Sequence, residues 1–84
     1  MIRCPCCGSK TIDETQYVEF PECIFGEICP VCFWEYDWVG IERPDIAVGP
    51  NNVSLNQARE NYKEFGACSR EFVRFVRPPR DDEL

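Results

Sequence analysis

The sequence predicts a single small α+β domain over residues 1–84, in which two cysteine turns on short antiparallel strands precede two C-terminal helices. Three observations predict this fold class. Seven cysteines occur in only 84 residues, four of them form two similar turns, and helical periodicity is confined to the chain after residue 53. A domain this small has a limited core and usually needs disulfides, a metal or a partner to remain folded.

The two cysteine turns have the spacing of a metal site. Cys4 and Cys7 form one C-x2-C pair, Cys29 and Cys32 form the other, and 21 residues lie between the pairs. A tight turn can present both sulfurs of a pair to one ion, and a hairpin between the pairs can bring the turns together. Because Zn²⁺ favours four tetrahedral ligands, these four thiolates predict one structural Zn²⁺ in a zinc ribbon. Iron also fits a set of four sulfurs.

Residues inside the turns decide which cysteine of "CPCCG" is surplus. Pro5 presets a backbone angle within the first turn, and Gly8 can adopt a positive φ just after it. Pairing the first cysteine with Cys6 would leave only one residue between ligands, so Cys6 is predicted to be surplus. The second turn has Pro30 in the same place but Phe33 instead of glycine, which predicts a less tightly shaped turn.

Three cysteines remain outside the predicted metal site: Cys6, Cys23 and Cys68. We expect them to be small buried hydrophobic residues or inert thiols. The alternatives are a reactive thiol, which would need an electropositive neighbour to lower its pKa, or a disulfide between two of the three.

Short strands are predicted around the two turns. Apolar runs occur at Ile12, at Tyr17–Phe20 before Pro21, and at residues 24–28. The segment "WEYDW", residues 34–38, alternates aromatic and acidic residues, which predicts an amphipathic strand with its three aromatic side chains on one face. Core packing is the favoured role of that aromatic face. Residues 39–53 are rich in glycine, proline and asparagine and predict a long loop.

The C-terminal half predicts two helices. Ser54 is a candidate N-cap for a helix over residues 54–65, with Gln57 completing a capping box and Gly66 as the left-handed C-cap. The apolar face of this helix comprises Leu55, Ala58, Tyr62 and Phe65. A second helix is predicted over about 69–77, with Phe72, Phe75 and Val76 turned inward. Prolines 78 and 79 end it, and residues 80–84 are predicted to form a flexible acidic tail.

Four blocks of the sequence resemble a known family. The blocks "CPCCG", "ICPVCFWEYD", "GPNNVSLNQARENYKEFGAC" and "VRPP" occur in this order and are similar to those of the bacterial cysteine-rich CPCC proteins. The resemblance implies a bacterial origin and a domain similar to zinc ribbons. It implies no particular activity.

The composition argues against an enzyme and favours a protein partner. The chain has no histidine, so a cysteine nucleophile would lack a histidine base, and four-sulfur ligation leaves no open metal position. The net charge is −6, and residues 1–40 hold two basic and seven acidic residues. We therefore predict a non-enzymatic interaction module that binds a basic protein, most concretely as an inhibitor or immunity protein. The predicted partner-binding residues are Glu35, Asp37, Trp38, Glu42 and Asp45.

Two alternative functions remain open at this stage. Arg70, Arg74 and Arg77 would form one basic helix face, with Arg80 beyond it, and could bind nucleic acid as many zinc ribbons do. The spare cysteines could instead handle thiols or metals. We expect a cytoplasmic location because the sequence shows no signal peptide or membrane span and because clustered cysteines bind metal where thiols stay reduced. The oligomeric state stays open.

Overall fold

The computed structural model describes residues 1–15, 17 and 22–84. In chain order the elements are strand β1 (Ile2–Arg3), strand β2 (Lys10–Ile12), helix α1 (Trp38–Glu42), helix α2 (Leu55–Phe65) and two 3₁₀ helices, η1 (Arg70–Phe75) and η2 (Asp81–Glu83). The α+β class is therefore confirmed at this level. The predicted strand at Tyr17–Phe20 lies, apart from Tyr17, outside the described residues.

Each cysteine turn joins two antiparallel segments. Strands β1 and β2 flank the first turn and pair in antiparallel register, Ile2 with Ile12 and Arg3 with Lys10, with an irregularity between the two pairs. A single antiparallel bridge between Ile28 and Glu35 flanks the second turn. Strands this short are not stable alone, so the contacts around the turns must hold them.

The core gathers around the cysteines. Its largest fully buried side chains include Trp34, Ile12, Ile24, Leu55 and Val31, each at most 2% exposed. Cys4, Cys29, Cys32 and Cys68 belong to the same cluster. Among the described residues, the buried apolar side chains and these sulfurs therefore form one common cluster.

Helix α2 forms as predicted in its bounds and caps. The Ser54 hydroxyl accepts a hydrogen bond from the Gln57 backbone N–H at 3.1 Å, and Gly66 has φ 81° and donates to the Tyr62 carbonyl. The reciprocal bond of a capping box, from the Ser54 N–H to the Gln57 side-chain oxygen, is not found in this described segment, and the Gln57 side-chain N–H donates to Asn61. Leu55 and Ala58 are buried and anchor the helix to the core.

The predicted strand "WEYDW" is wrong beyond its first residues. Trp34 and Tyr36 are buried, at 1% and 3% exposed, as the alternation predicted, but only Glu35 makes a strand-type bridge. Asp37 then acts as the N-cap of α1, accepting from the Gly40 N–H at 3.0 Å. Trp38 consequently begins a helix, and the predicted loop 39–53 contains most of α1.

The predicted second helix over 69–77 is shorter and of another type. It is the 3₁₀ helix η1, and Phe75 is 56% exposed, whereas Phe72 packs partly against the core. Residues three apart lie on the same side of a 3₁₀ helix, and Phe72 and Phe75 both stack on Phe33 at 4.6 and 5.6 Å between ring centroids. A 3₁₀ helix lets both Phe72 and Phe75 contact Phe33, and this contact therefore favours it over an α-helix.

The final residues contain the short helix η2. The two terminal guanidinium nitrogens of Arg77 donate to the two carboxylate oxygens of Glu83, at 2.7 and 2.8 Å. Glu83 also accepts from the backbone N–H of Arg80 at 2.8 Å. The expected flexibility of residues 80–84 stays a prediction. Among the residues that the structure describes, no helix is long and apolar enough to cross a membrane.

Candidate metal centre

The two cysteine turns have the same backbone hydrogen bonds. In the first turn, the Gly8 N–H donates to the Cys4 carbonyl at 2.9 Å, and the Cys4 N–H donates to the Ser9 carbonyl at 2.7 Å. In the second turn, the Phe33 N–H donates to the Cys29 carbonyl at 2.8 Å, and the Cys29 N–H donates to the Trp34 carbonyl at 2.9 Å. Each donor and acceptor in one turn has its counterpart 25 positions along the chain.

Phe33 adopts the backbone conformation that a glycine would take. Its φ is 71°, close to the 82° of Gly8, and it is the one non-glycine residue with positive φ among those described. The prediction that the second turn is less tightly shaped is therefore wrong. The left-handed region costs a non-glycine residue about 1–2 kcal/mol, and the stacking of Phe33 on Phe72 and Phe75 opposes that cost.

These turns bring the four predicted ligands together. The Sγ atoms of Cys4, Cys7, Cys29 and Cys32 all lie within 4.8 Å of one another. The Cys4 and Cys32 sulfurs are 3.6 Å apart, and the Cys7 and Cys29 sulfurs are 3.7 Å apart. A regular ZnS₄ tetrahedron with bonds of ~2.3 Å has sulfurs about 3.8 Å apart. The four cysteines therefore fit a single tetrahedral ion.

The thiol electrostatics also favour a bound cation. The hydrogen bond from Cys32 lowers the pKa of Cys29, and the same bond raises the pKa of Cys32. The pKa of Cys7 is lowered to about 7: its hydrogen bond with Cys29 raises the pKa, but the hydrogen bonds with Cys32 and Cys4 together lower it by more. Sulfurs this close cannot all be negatively charged without compensation, so some must keep protons. A divalent cation would supply that compensation.

Thr11 on β2 adds a polar contact that the sequence did not reveal. Its hydroxyl lies 2.9 Å from the Cys29 sulfur and is buried. A hydroxyl donating to a ligating sulfur helps fix the ligand and disperses its charge. In the sequence, the only indication of this contact is that a polar residue, Thr11, lies inside the short strand "KTI".

The three other cysteines lie outside the four-sulfur set, and all seven cysteines are free of disulfides. Cys6 is 8% exposed and Cys68 is 1% exposed, while Cys23 is partly exposed. Burial raises the pKa of Cys68 to about 12, which keeps its thiol protonated at neutral pH. These features agree with the expectation of inert buried thiols for Cys6 and Cys68.

Three of the five predicted partner-binding residues lie together, and the role of all five stays a prediction. Glu35, Asp37 and Trp38 line the same surface groove. Glu42 is exposed at the end of α1, and the Asp45 carboxylate accepts a hydrogen bond from the Asn56 side chain at 2.5 Å. The Asp37 carboxylate caps α1 and packs against Gly49 so closely that a Cβ there would collide with it, so Asp37 has a structural role as well.

The comparisons with known proteins agree with the motifs. No curated protein matches the chain. The family model described as "Cysteine-rich CPCC" matches residues 2–83, which is nearly the whole chain, and the chain therefore belongs to the cysteine-rich CPCC family.

Proposed function

We propose that this chain is a non-enzymatic zinc protein whose four-cysteine site, of zinc-ribbon type, holds together a protein-interaction module. The single observation that carries the metal part is the approach of four sulfurs, from Cys4, Cys7, Cys29 and Cys32, to within 4.8 Å of one another. Bound there, the ion supplies cross-linking of the two turns and no reaction. With four thiolates the coordination is complete, so no metal position is open for a substrate or an activated water.

Zinc is the preferred ion because the site needs a stable tetrahedral centre with no redox chemistry. Iron is the competing ion, since it also accepts four thiolates. The two differ in a simple way, because an iron–thiolate centre absorbs visible light and a zinc–thiolate centre does not.

The test is the metal content of the protein purified without added metal or chelator. We expect one zinc per chain by elemental analysis and no visible absorption. The Cys29→Ser variant should lose the metal, and the Cys6→Ser variant should keep it. Metal-free protein that is folded would contradict the metal proposal, and one iron per chain with visible absorption would replace zinc by iron.

The interaction part of the proposal rests on charge. Two basic and seven acidic residues occupy residues 1–40, and an acidic surface attracts basic partners and speeds their association. The concrete form is an inhibitor or immunity protein that neutralises a basic toxin in the cytoplasm. A basic partner recovered from the source cell and encoded beside this gene, with salt-sensitive binding, would support it. A partner without excess positive charge would contradict it.

The competing nucleic-acid role has less support from this geometry. It needs Arg70, Arg74 and Arg77 on one α-helical face, but η1 is a 3₁₀ helix that ends before Arg77. Arg77 is paired with Glu83, and the guanidinium of Arg74 lies over the Phe75 ring, 5.2 Å from its centroid.

A further inference from the structure

A groove of about 350 Å³ lies between the segment that precedes the second cysteine turn and helix α1. Its walls combine two kinds of side chain. Three are carboxylates, and three are aromatic; these six residues are Glu22, Glu35, Asp37, Phe25, Tyr36 and Trp38. No lysine or arginine is among the residues that line it.

Within the described parts of the chain, the carboxylates of the groove form no ion pair. The ion pairs found between described residues are those of Glu14, Glu60 and Glu83, and none involves a groove residue. Burial and then the negative charge of Glu22 raise the pKa of Tyr36, which agrees with Glu22 lying close to that ring. The groove therefore has a negative charge that only a partner, or solvent ions, can balance.

The apolar walls of the groove are unusually open to solvent. Phe25 is 75% exposed and Val39 is 50% exposed, although both line the groove. Exposed apolar surface that is bordered by polar groups is typical of interaction sites. Negative charge and aromatic walls together match one kind of ligand, an organic cation with an apolar stem.

We propose that this groove binds a lysine or arginine side chain presented by a partner protein. The aliphatic stem would pack against the apolar walls, and the cation would be held by the carboxylates and by the faces of the aromatic rings. The inference rests on the proposed basic partner and assigns the contact to the groove rather than to the acidic surface as a whole.

The test is a nuclear magnetic resonance titration of the ¹⁵N-labelled, zinc-loaded protein with capped peptides. The probes are acetyl-Leu-Arg-Leu-amide, the same peptide with lysine, and matched peptides with citrulline or glutamate at the central position. We expect the two cationic peptides to shift the amide signals of Gly26, Glu35 and Val39, and the citrulline and glutamate peptides to leave them in place. Binding should weaken as salt is raised.

Variants locate the charges that matter. Glu22→Gln and Glu35→Gln should each weaken cationic-peptide binding about threefold, as expected for a partly exposed charge pair. Glu64→Gln is the matched control, because it removes one exposed carboxylate from α2, away from the groove, and should leave binding unchanged. Phe25→Ala should also weaken binding, whereas every variant should keep its zinc and its circular dichroism.

Any of the following four results would overturn the inference. Shifts centred on Glu42 and Asp45 would reject the groove while retaining a basic partner. Equal effects of Glu35→Gln and Glu64→Gln would mean binding to general negative charge. No shift with peptide at about 10 mM, beyond the range of weak affinities, would reject the groove even if zinc is bound. Groove shifts that depend on protein concentration without peptide would make a second copy of this chain the occupant.

Discussion

The two cysteine turns share one backbone geometry but are held by different surroundings. The first turn ends with Gly8 and is contacted by side chains: Arg3 donates to the Gly8 carbonyl at 2.7 Å, and Arg59 donates to the Pro5 carbonyl at 2.9 Å. The second turn ends with Phe33 and is contacted by the C-terminal backbone. The Cys68 N–H donates to the Cys32 carbonyl at 2.8 Å, and the Arg77 N–H donates to the Pro30 carbonyl at 3.3 Å.

This difference shows two ways of stabilising the same turn. Glycine adopts the left-handed conformation without steric cost, so the first turn needs no ring contact at this position, and Cys7 is partly exposed. Phenylalanine pays a conformational penalty in that position but provides a ring on which η1 packs, and Cys29 and Cys32 are completely buried. The second turn thereby couples the candidate metal centre to the C-terminal segment.

The largest effect is expected when a cysteine ligand is removed, and it should be equal for the two turns. Structural zinc contributes about 10–16 kcal/mol of apparent binding free energy, which matches or exceeds the whole stability of a typical domain. We therefore expect Cys4→Ser and Cys29→Ser to release the metal and unfold the protein, as measured by metal content and circular dichroism. Cys6→Ser should remain folded with its metal, and a folded Cys29→Ser protein would contradict the shared role of the turns.

The second effect separates stacking from backbone strain at Phe33. Phe33→Ala loses the ring contacts and keeps the strained φ, so it should cost about 2 kcal/mol, less than for a fully buried ring. Phe33→Gly loses the same contacts but relieves the strain, and should be about 1 kcal/mol more stable than Phe33→Ala. Urea unfolding of the zinc-loaded variants measures both values. Equal stability of the two variants would show that the left-handed φ carries no cost.

The third effect concerns the first turn, where a substitution at Gly8 measures the cost of a positive φ without any change in ring contacts. A Cβ at Gly8 would meet no atom within 4 Å, so Gly8→Ala changes only the backbone preference and should cost about 1 kcal/mol. Gly8→Asn should cost less, because asparagine tolerates the left-handed region. The same urea experiment applies, and an Asn variant less stable than the Ala variant would contradict this explanation.

The smallest effect concerns the ion pair between Arg77 and Glu83, in the C-terminal segment that contacts the second turn. The hydrogen bonds from Arg77 lower the pKa of Glu83 to about 2, below its ordinary 4.5. A lowered folded-state pKa means that the charged carboxylate stabilises the fold above pH 4.5 and that this contribution is lost as the pH falls towards 2. Glu83→Gln should therefore be slightly less stable than the wild type at pH 7, and the difference should shrink below pH 4.5.

The matched control for this variant is Asp82→Asn, which removes a neighbouring exposed carboxylate. Urea unfolding at saturating zinc and pH 7, where the cysteine ligands can hold the ion, should show little change for it. A Glu83→Gln difference at pH 7 that is unaffected by raised salt would reject the ion pair as its source.

The sequence predicted local features well where one strong local preference acts. Helix α2 follows from its Ser54 cap, its apolar spacing and Gly66, and the pairing of four cysteines follows from their spacing. The strand prediction for residues 34–38 failed because period-two alternation correctly identified the buried Trp34 and Tyr36 but ignored the capping ability of Asp37. That carboxylate starts α1 one residue later.

The amino-acid sequence by itself determined the cysteine turns, the long helix and the acidic character, because each depends on neighbouring residues or on composition. Only the tertiary structure decided the conformation of Phe33, the 3₁₀ form of η1 and the groove that joins Glu22 to Glu35 and Trp38. These features depend on contacts between residues far apart in the chain. A stacking partner such as Phe72, 39 positions from Phe33, can reverse a local backbone preference that the sequence alone would predict.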